Sequence, residues 1–371
     1  MTRIKTTAAL IAGLFLFAAH QGVLAQSGAS PNAAARFLAG LKPAADSLAA
    51  KFTGEGTWQQ HAKQFDTAWA TLEKQQLSKV RAWSEGNVKA PARPLFYTFS
   101  GPDFIYANAF FPEATTYVMV GLEPVGPIPA INDRTRHSLG NLRGSLNTIL
   151  NYSYFITSDM GSRLHQGELK GTLPILYVFL ARAGKTIHEV SLVNLDKDGI
   201  AHEVAQHGQA PRGERLDPGV KIVFSGDKGP RQTLYYFSTD LSDAGTRSSG
   251  FLKFCEKLGS GDVLVKSASY LLHGGNFSNV RQFLLNHGRI IVQDDTGVPA
   301  RYFKNEEWDL KPFGAYLGPI EIFKGMYQPQ LAQIFQKGRA PKLDFGIGYR
   351  WRGHDSNLLL AIKKSTVAQG N

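Results

Sequence analysis

Two short apolar segments, residues 95–99 and 115–120, constrain the fold of this 371-residue chain more than any other feature. Neither segment alternates polar and apolar positions, which is typical of strands that are covered on both faces. Between them, Ser100 and Pro102 suit the start of a helix and Pro112 suits its end. This strand–helix–strand order predicts a β–α–β unit and therefore an α/β fold.

The rest of the chain extends this unit in both directions. We expect further strands at residues 173–180, 188–193, 200–204, 220–224, 233–238, 289–293, 343–351 and 357–362, and helices at residues 134–157, 250–258, 263–273, 276–287 and 328–337. Residues 33–51 and 58–83 have helical spacing of apolar positions, and residues 85–94 form a linker that contains Gly and Pro. The prediction is a single α/β domain at residues 91–371, with a mixed, mostly buried sheet and helices on both faces, preceded by an N-terminal helical region at residues 26–90.

The first 25 residues have the pattern of a secretory signal peptide. Arg3 and Lys5 supply the basic start, residues 6–19 the apolar core, and residues 23–25 the small or modest side chains for cleavage after Ala25. The apolar core is too short to span a bilayer, so an uncleaved membrane anchor is the weaker alternative. We therefore expect export to the periplasm or the medium, with no transmembrane segment after cleavage.

Charge and cysteine content narrow the range of partners. The sequence has 41 Lys and Arg against 30 Asp and Glu, and loss of Arg3 and Lys5 lowers its formal net charge from +11 to +9. For an exported chain, this excess favours an anionic component of the cell envelope over nucleic acid as a partner. A bacterial lipoprotein needs Cys at the cleavage point, but Gln26 stands there and the one cysteine is Cys255. We expect a soluble chain with no lipid anchor and no internal disulfide.

Common catalytic and cofactor motifs are missing from the sequence. His202 and His207 are five residues apart, so a helix would not place them on one face as a metalloprotease motif requires. There is no G-x-S-x-G, no P-loop and no G-x-G-x-x-G. The sequence predicts no metal site and identifies no cofactor.

Acidic residues follow three of the expected strands. Asp103 follows the first strand, Glu123 the second, and Asp294 and Asp295 a later one. If these strands are parallel, the carboxylates meet at one edge of the sheet, where α/β proteins bind ligands. Paired carboxylates can perform general acid–base chemistry, and His273 could join them as a base. The competing interpretation is structural, because Asp103 suits a helix start and Asp-Asp-Thr-Gly is ordinary turn chemistry.

Three further residues are candidates for ligand binding. Ser100 lies at the same expected strand end as Asp103. Arg134 and Arg136 follow a proline-rich loop, where they could bind an anionic ligand. The alternative is that Ser100 caps a helix and that the two arginines lie at a solvated helix start.

Three segments resemble those of a family of exported bacterial proteins of unknown function. They are FYTFSGPDFIYA at residues 96–107, GLEPVG at residues 121–126 and QDDTGVP at residues 293–299. The resemblance extends over most of the chain after residue 90. It implies an exported bacterial protein with a single main domain, and it implies no activity, cofactor or catalytic residue.

Three functional hypotheses remain open. The leading one is a hydrolase or transferase that acts on a cell-envelope substrate in an acidic cleft at the carboxyl edge of the sheet. The alternatives are a non-catalytic binding module for acidic envelope polymers, suggested by the basic balance and a Trp-rich helix, and a scaffold that acts through protein contacts. Carboxyl groups within about 6–9 Å of one another favour the enzyme, whereas scattered carboxylates favour the alternatives.

Overall fold

The computed structural model describes residues 29–89, 91–152, 168–207 and 215–364, so the expected signal peptide lies outside the described residues. The strands are β1 (Leu95–Tyr97), β2 (Thr116–Gly121), β3 (Thr186–Leu195), β4 (Ala201–Val204), β5 (Asp217–Ser225), β6 (Arg231–Ser238), β7 (Gly261–Val265), β8 (Gly288–Gln293), β9 (Trp308–Gly314) and β10 (Asn357–Lys363). The helices are α1 (Pro31–Leu38), α2 (Gly56–Leu72), α3 (Ser78–Asn87), α4 (Phe104–Phe110), α5 (Thr135–Tyr152), α6 (Leu173–Arg182), α7 (Asp243–Ser248), α8 (Phe251–Lys257), α9 (Ser278–His287) and α10 (Pro329–Lys337).

These strands form one mixed sheet in the order β4-β3-β5-β6-β2-β1-β7-β8-β10-β9. The middle of the sheet is parallel, because β1 pairs with β2 and β7, β2 pairs with β6, and β7 pairs with β8. The outer pairs are antiparallel. The parallel strands therefore end along one edge of the sheet, the carboxyl edge, and begin along the opposite one, the amino edge.

Helices cover both faces of the sheet. Along β2, Tyr117 and Met119 belong to one apolar core, and Val118 and Val120 belong to the other. The first core includes side chains from α1 to α6, and the second includes side chains from α8, α9 and α10. This arrangement confirms the predicted α/β class with a mixed, buried sheet and helices on both faces.

The N-terminal helices share the first of these cores with the sheet. Trp58 Nε1 donates a hydrogen bond to the Phe37 carbonyl at 3.0 Å, and Arg182 Nε donates to the Ala39 carbonyl at 2.7 Å. These contacts join α1 to α2 and to α6. The apolar positions expected on one helix over residues 58–83 are therefore packed against the rest of the molecule. A π-helical segment, Glu73–Leu77, divides this helix into α2 and α3.

Three expected elements were assigned wrongly, and the helix expected over residues 33–51 ends at Leu38 and is followed by a separate 3₁₀ turn, Leu48–Phe52. Residues 173–180 form the helix α6 instead of a strand, and residues 263–273 begin with the strand β7 instead of a helix. Residues 343–351 form no ladder and contain only the isolated bridge between Ile347 and Arg350. The first two errors share a cause, because a fully buried helix and a fully buried strand both have an unbroken apolar sequence.

Candidate functional site

The carboxyl edge contains a cleft of about 230 Å³ between the ends of β1, β2, β6 and β7. It brings together three of the expected site residues, Ser100, Asp103 and Glu123, with Lys266, which sequence reasoning missed. Apolar side chains complete the lining, and two of them, Leu122 and Leu271, are exposed at its mouth. The cleft therefore combines apolar surface with a small set of charged groups, as ligand sites usually do.

The floor of this cleft is a buried ion pair. Asp103 Oδ2 lies 2.9 Å from Lys266 Nζ, and each side chain is only 2% exposed. The Tyr97 hydroxyl donates to the same carboxylate oxygen at 2.7 Å, and the backbone N–H of Tyr106 donates to Oδ1 at 3.3 Å. Lys266 Nζ also lies 4.3 Å from the centre of the Tyr106 ring. Asp103 is therefore both the N-cap of α4 and the counter-ion of Lys266.

The environment of Asp103 works against its charge. Burial raises the pKa of Asp103, and the ammonium of Lys266 and the Tyr97 hydroxyl oppose that effect. Burial also raises the pKa of Tyr97, and the neighbouring Asp103 charge adds to the shift. A buried ion pair adds little net stability over apolar packing, and perturbed carboxyl groups in clefts are typical of functional sites.

Glu123 supplies a second carboxylate to the cleft. Its Oε2 lies 3.3 Å from the Tyr236 hydroxyl, which also donates to the Glu123 backbone carbonyl at 2.9 Å. A Cβ at Gly121 would lie 2.2 Å from Oε2 and 2.7 Å from the Tyr236 hydroxyl oxygen, so any larger residue would displace the carboxylate from this position. Asp103 is thus paired with an ammonium and Glu123 with a neutral phenol. Two carboxylates in different environments are the arrangement that separates acid and base roles.

Ser100 has a structural role at the edge of the cleft. Its hydroxyl accepts a hydrogen bond from the Val120 amide at 3.1 Å and donates to the Gly101 carbonyl at 2.8 Å. These contacts tie the end of β1 to the end of β2. The cap of α4 is Asp103, so the expectation that Ser100 caps this helix was wrong.

Backbone strain is concentrated at the cleft. Within the described parts of the chain, five non-glycine residues have a positive φ, and four of them, Phe99, Ser267, Ser269 and Tyr270, have values between 49° and 58°. The first three of these four line the cleft, and Tyr270 follows directly. Each such residue costs about 1 kcal/mol or more, and strain of this kind is typical of functional sites.

Asp294 and Asp295 lie behind the cleft and hold its wall. Asp294 Oδ2 accepts a hydrogen bond from the strained Ser267 amide at 2.9 Å. Asp295 accepts hydrogen bonds from the Tyr270 hydroxyl at 2.6 Å and from Asn357 Nδ2 at 3.1 Å. Burial raises the pKa of both carboxyl groups, and the charge of Asp295 adds to the shift of Asp294. The two residues therefore position the segment after β7 from outside the cleft.

His273 also lies outside the cleft lining. It ends the short 3₁₀ turn Leu271–His273, is half-buried, and its ring packs edge-on against Tyr270 with a centroid distance of 5.0 Å. Burial, together with the positive charge of Arg301, lowers the pKa of His273 to about 4. The ring is therefore neutral near pH 7.

The two candidate arginines are likewise outside the cleft. Arg136 lies 2.5 Å from a carboxylate oxygen of Glu55, and the exposed Arg134 lies 3.8 Å from one of Glu168. Both arginines belong to the region around the start of α5 and face acidic partners of this chain.

Lys266 and Tyr97 are the residues of this candidate site that sequence reasoning missed. Lys266 directly follows β7, so it occupies the same kind of position as Asp103 and Glu123. Because β7 was expected to be part of a helix, its end was not recognised as a strand end. Val263 and Val265 flank one residue in this segment, and their β-branched side chains were the available signal for a strand.

The chain matches no protein-family model, no curated protein and no solved structure in the comparisons made. The resemblance to an exported bacterial family therefore stays a prediction. In the described ranges, no three His, Cys, Asp or Glu side chains are grouped as a metal ion requires. No helix within those ranges has both the length and the apolar character needed to cross a membrane.

Proposed function

We propose that this chain is an exported hydrolase or transferase that acts on a cell-envelope substrate in the cleft at the carboxyl edge. The observation that carries the proposal is the Asp103–Lys266 ion pair, which is buried at the floor of a ligand-sized cleft. Such a pair is a poor means of stabilising a fold but a good means of presenting a fixed charge to a substrate. The strained backbone around it supports the same conclusion.

In this mechanism the charged groups have separate roles. Glu123 moves the proton to or from the substrate, because its carboxylate faces a neutral partner. Lys266 stabilises negative charge that develops on a substrate oxygen, and Asp103 holds the ammonium in place. Asp294 acts as a positioning residue through the Ser267 amide.

The lining favours a neutral substrate with an apolar face and several hydroxyl or amide groups. Phe99 and Phe277 supply aromatic surface, and Ser269 and Tyr349 supply hydroxyl groups. Asp103, Glu123 and the exposed Asp240 outnumber the one lysine of the lining, so the formal charge of the cleft disfavours a polyanion. A sugar unit of an envelope glycan has the required combination of surfaces.

The test is turnover of p-nitrophenyl glycosides and p-nitrophenyl esters by the purified full chain. Glu123→Gln keeps the shape of the side chain and removes its acid–base function, so we expect turnover to fall about a hundredfold or more. Glu203→Gln is the matched control, because Glu203 is an exposed glutamate paired with Lys221 at 3.0 Å, far from the cleft. It should leave turnover unchanged.

Two results would overturn the catalytic proposal. One is full turnover by Glu123→Gln in protein whose melting temperature is unchanged. The other is binding of the glycosides with no turnover by the native chain, which would instead support the non-catalytic binding module.

Export is part of the proposal and has its own test. Arg3, Lys5 and the apolar core at residues 6–19 support a cleaved signal peptide. Mass spectrometry of the chain recovered from the periplasm or the medium should find Gln26 as its first residue. Recovery of the intact N-terminus from the cytoplasm would contradict export.

A further inference from the structure

The amino edge of the sheet contains a second, larger cavity of about 420 Å³. It lies where the end of α3 meets the end of α4 and the residues that lead into β1 and β2. Much of its surface is apolar, from Val88, Ala109, Phe110, Phe111 and Ala114. It is separate from the cleft, because the two share no lining residue and lie at opposite edges of the sheet.

One buried aspartate belongs to the lining of this cavity. Asp262 is the second residue of β7 and is 3% exposed. Its Oδ2 lies 3.5 Å from Arg93 Nε, whereas its Oδ1 has no hydrogen-bond partner in the described residues. Burial raises the pKa of Asp262 to about 6, against the opposing effects of the Arg93 charge and the Ile290 amide. The Ile290 amide stabilises the charged form of Asp262 through its dipole, but it does not form a hydrogen bond to Oδ1.

The other charges around the cavity favour a positively charged occupant. Both guanidinium groups of the lining already face carboxylates, Arg93 that of Asp262 and Arg81 that of Glu73. Glu85 and Glu113 are exposed members of the lining and add negative charge. The buried atom that lacks a partner is an acceptor, so the complementary group is a donor that carries positive charge.

We propose that this cavity is a binding site for a small organic cation with an apolar body and an ammonium group that donates to Asp262 Oδ1. The ammonium completes the hydrogen bonding of a carboxylate that is costly to bury unsatisfied. The apolar body occupies the space between Phe110, Phe111 and Val88. This site is independent of the function proposed for the cleft.

Three aromatic probes of similar size and different charge test the proposal on the full chain. Benzylamine is a cation at pH 7.5, benzyl alcohol is neutral and benzoate is an anion. Isothermal titration calorimetry should give the tightest binding for benzylamine, about tenfold or more tighter than for benzyl alcohol, and the weakest for benzoate. Equal affinities for the three probes, or no saturable binding of benzylamine, would overturn the proposal.

Two variants place the binding at this cavity. Asp262→Asn should weaken benzylamine binding about tenfold or more and leave benzyl alcohol unaffected. Val88→Trp, at a half-buried position of the lining, should block all three probes by filling the space, and it decides the question if Asp262→Asn does not fold.

Two control variants should leave benzylamine binding unchanged. Asp217→Asn removes another buried aspartate, which is paired with Arg215 at 3.2 Å. Glu123→Gln removes a carboxylate of the cleft. Unaltered benzylamine binding in both Asp262→Asn and Val88→Trp, or its loss in Glu123→Gln, would count against the cavity.

Discussion

Each edge of the sheet has a buried aspartate next to one cation, but the two aspartates differ in their hydrogen-bond partners. At the carboxyl edge, Asp103 accepts from Lys266 at 2.9 Å, from the Tyr97 hydroxyl and from a helix N-terminal amide. At the amino edge, Asp262 has Arg93 at 3.5 Å, and one of its oxygens has no hydrogen-bond partner within the described ranges. Both carboxyl groups are at least 95% buried.

The hydrogen bonding of Asp103 is therefore complete within the described residues, whereas that of Asp262 is not. Asp103 is fixed in advance by this chain, which suits a group that holds the Lys266 ammonium in one place. Asp262 still lacks a donor, which suits a group that receives one from a ligand. The strained residues Phe99, Ser267 and Ser269 lie at the carboxyl edge, so folding has an additional conformational cost at this edge.

The largest expected effect comes from breaking the completed pair. Lys266→Met removes the ammonium and leaves Asp103 buried with its two remaining donors, which should cost about 3–5 kcal/mol of unfolding free energy. Lys253→Met is the matched control, because Lys253 faces Asp198 at 3.3 Å on the surface and should cost less than about 1 kcal/mol. Urea unfolding of the native chain, Lys266→Met and Lys253→Met measures both losses of unfolding free energy.

The double variant Asp103→Asn/Lys266→Met sharpens this result. Asparagine is as good an N-cap as aspartate and carries no charge, so the double variant should be more stable than Lys266→Met alone. If Lys266→Met lowers the free energy of unfolding no more than Lys253→Met does, the Asp103–Lys266 pair does not stabilise the carboxyl edge. The proposed contrast between the two edges would then be wrong.

The next effect has the opposite sign and lies at the amino edge. The pKa of Asp262 is raised from 3.8 to about 6, so between those values the folded state binds more protons than the unfolded state. The Asp262 carboxyl should therefore lower native stability as the pH rises through this window, by up to about 3 kcal/mol once the pH exceeds 6. Asp262→Asn should remove this contribution, leave those of the other buried carboxyl groups, Asp103, Asp294 and Asp295, and be more stable than the native chain at pH 8.

Urea unfolding at pH 4.5 and at pH 8 checks the difference in slope. Asp217→Asn is the comparison, because it breaks the pair with Arg215 and should destabilise the chain at pH 8. If Asp262→Asn is less stable than the native chain at pH 8, the Asp262 carboxylate already has the hydrogen-bond donors that it needs within the chain.

The sequence predicted the fold class and the carboxyl edge, but not every element that forms them. Residues 95–99 and 115–120 have turn signals at each end and a length suited to strands, so the β–α–β unit was readable. Residues 173–180 have the same continuous apolar character but form a central helix, α6, that is buried on all sides. Only its tertiary neighbours, such as α1, distinguish the two cases.

The two aspartates also differ in how far the sequence reveals them. Asp103 was predicted as a site residue because it follows a strand, and Lys266 was missed because β7 was not recognised. Asp262 had no local signal, since its partner Arg93 and the residues of α3 and α4 that line the same cavity are far from it in the sequence. A site that depends on contacts between distant segments cannot be read from spacing.

The smallest expected effect tests whether the strain belongs to the carboxyl edge. Ser267 has a φ of 52°, its amide is held by Asp294, and its hydroxyl has no partner in the described residues, so Ser267→Gly relieves strain without losing a hydrogen bond of the side chain. Ser191→Gly, inside β3, has no such relief and also loses the hydrogen bond of its hydroxyl to Glu203, so it should be less stable than Ser267→Gly by about 1 kcal/mol or more in urea unfolding. If the strain serves the cleft, Ser267→Gly should turn over p-nitrophenyl substrates more slowly although it is no less stable than the native chain. Equal stability of the two glycine variants would mean that the positive φ of Ser267 stores no strain, and the contrast between the two edges would then rest on the hydrogen bonding of Asp103 and Asp262.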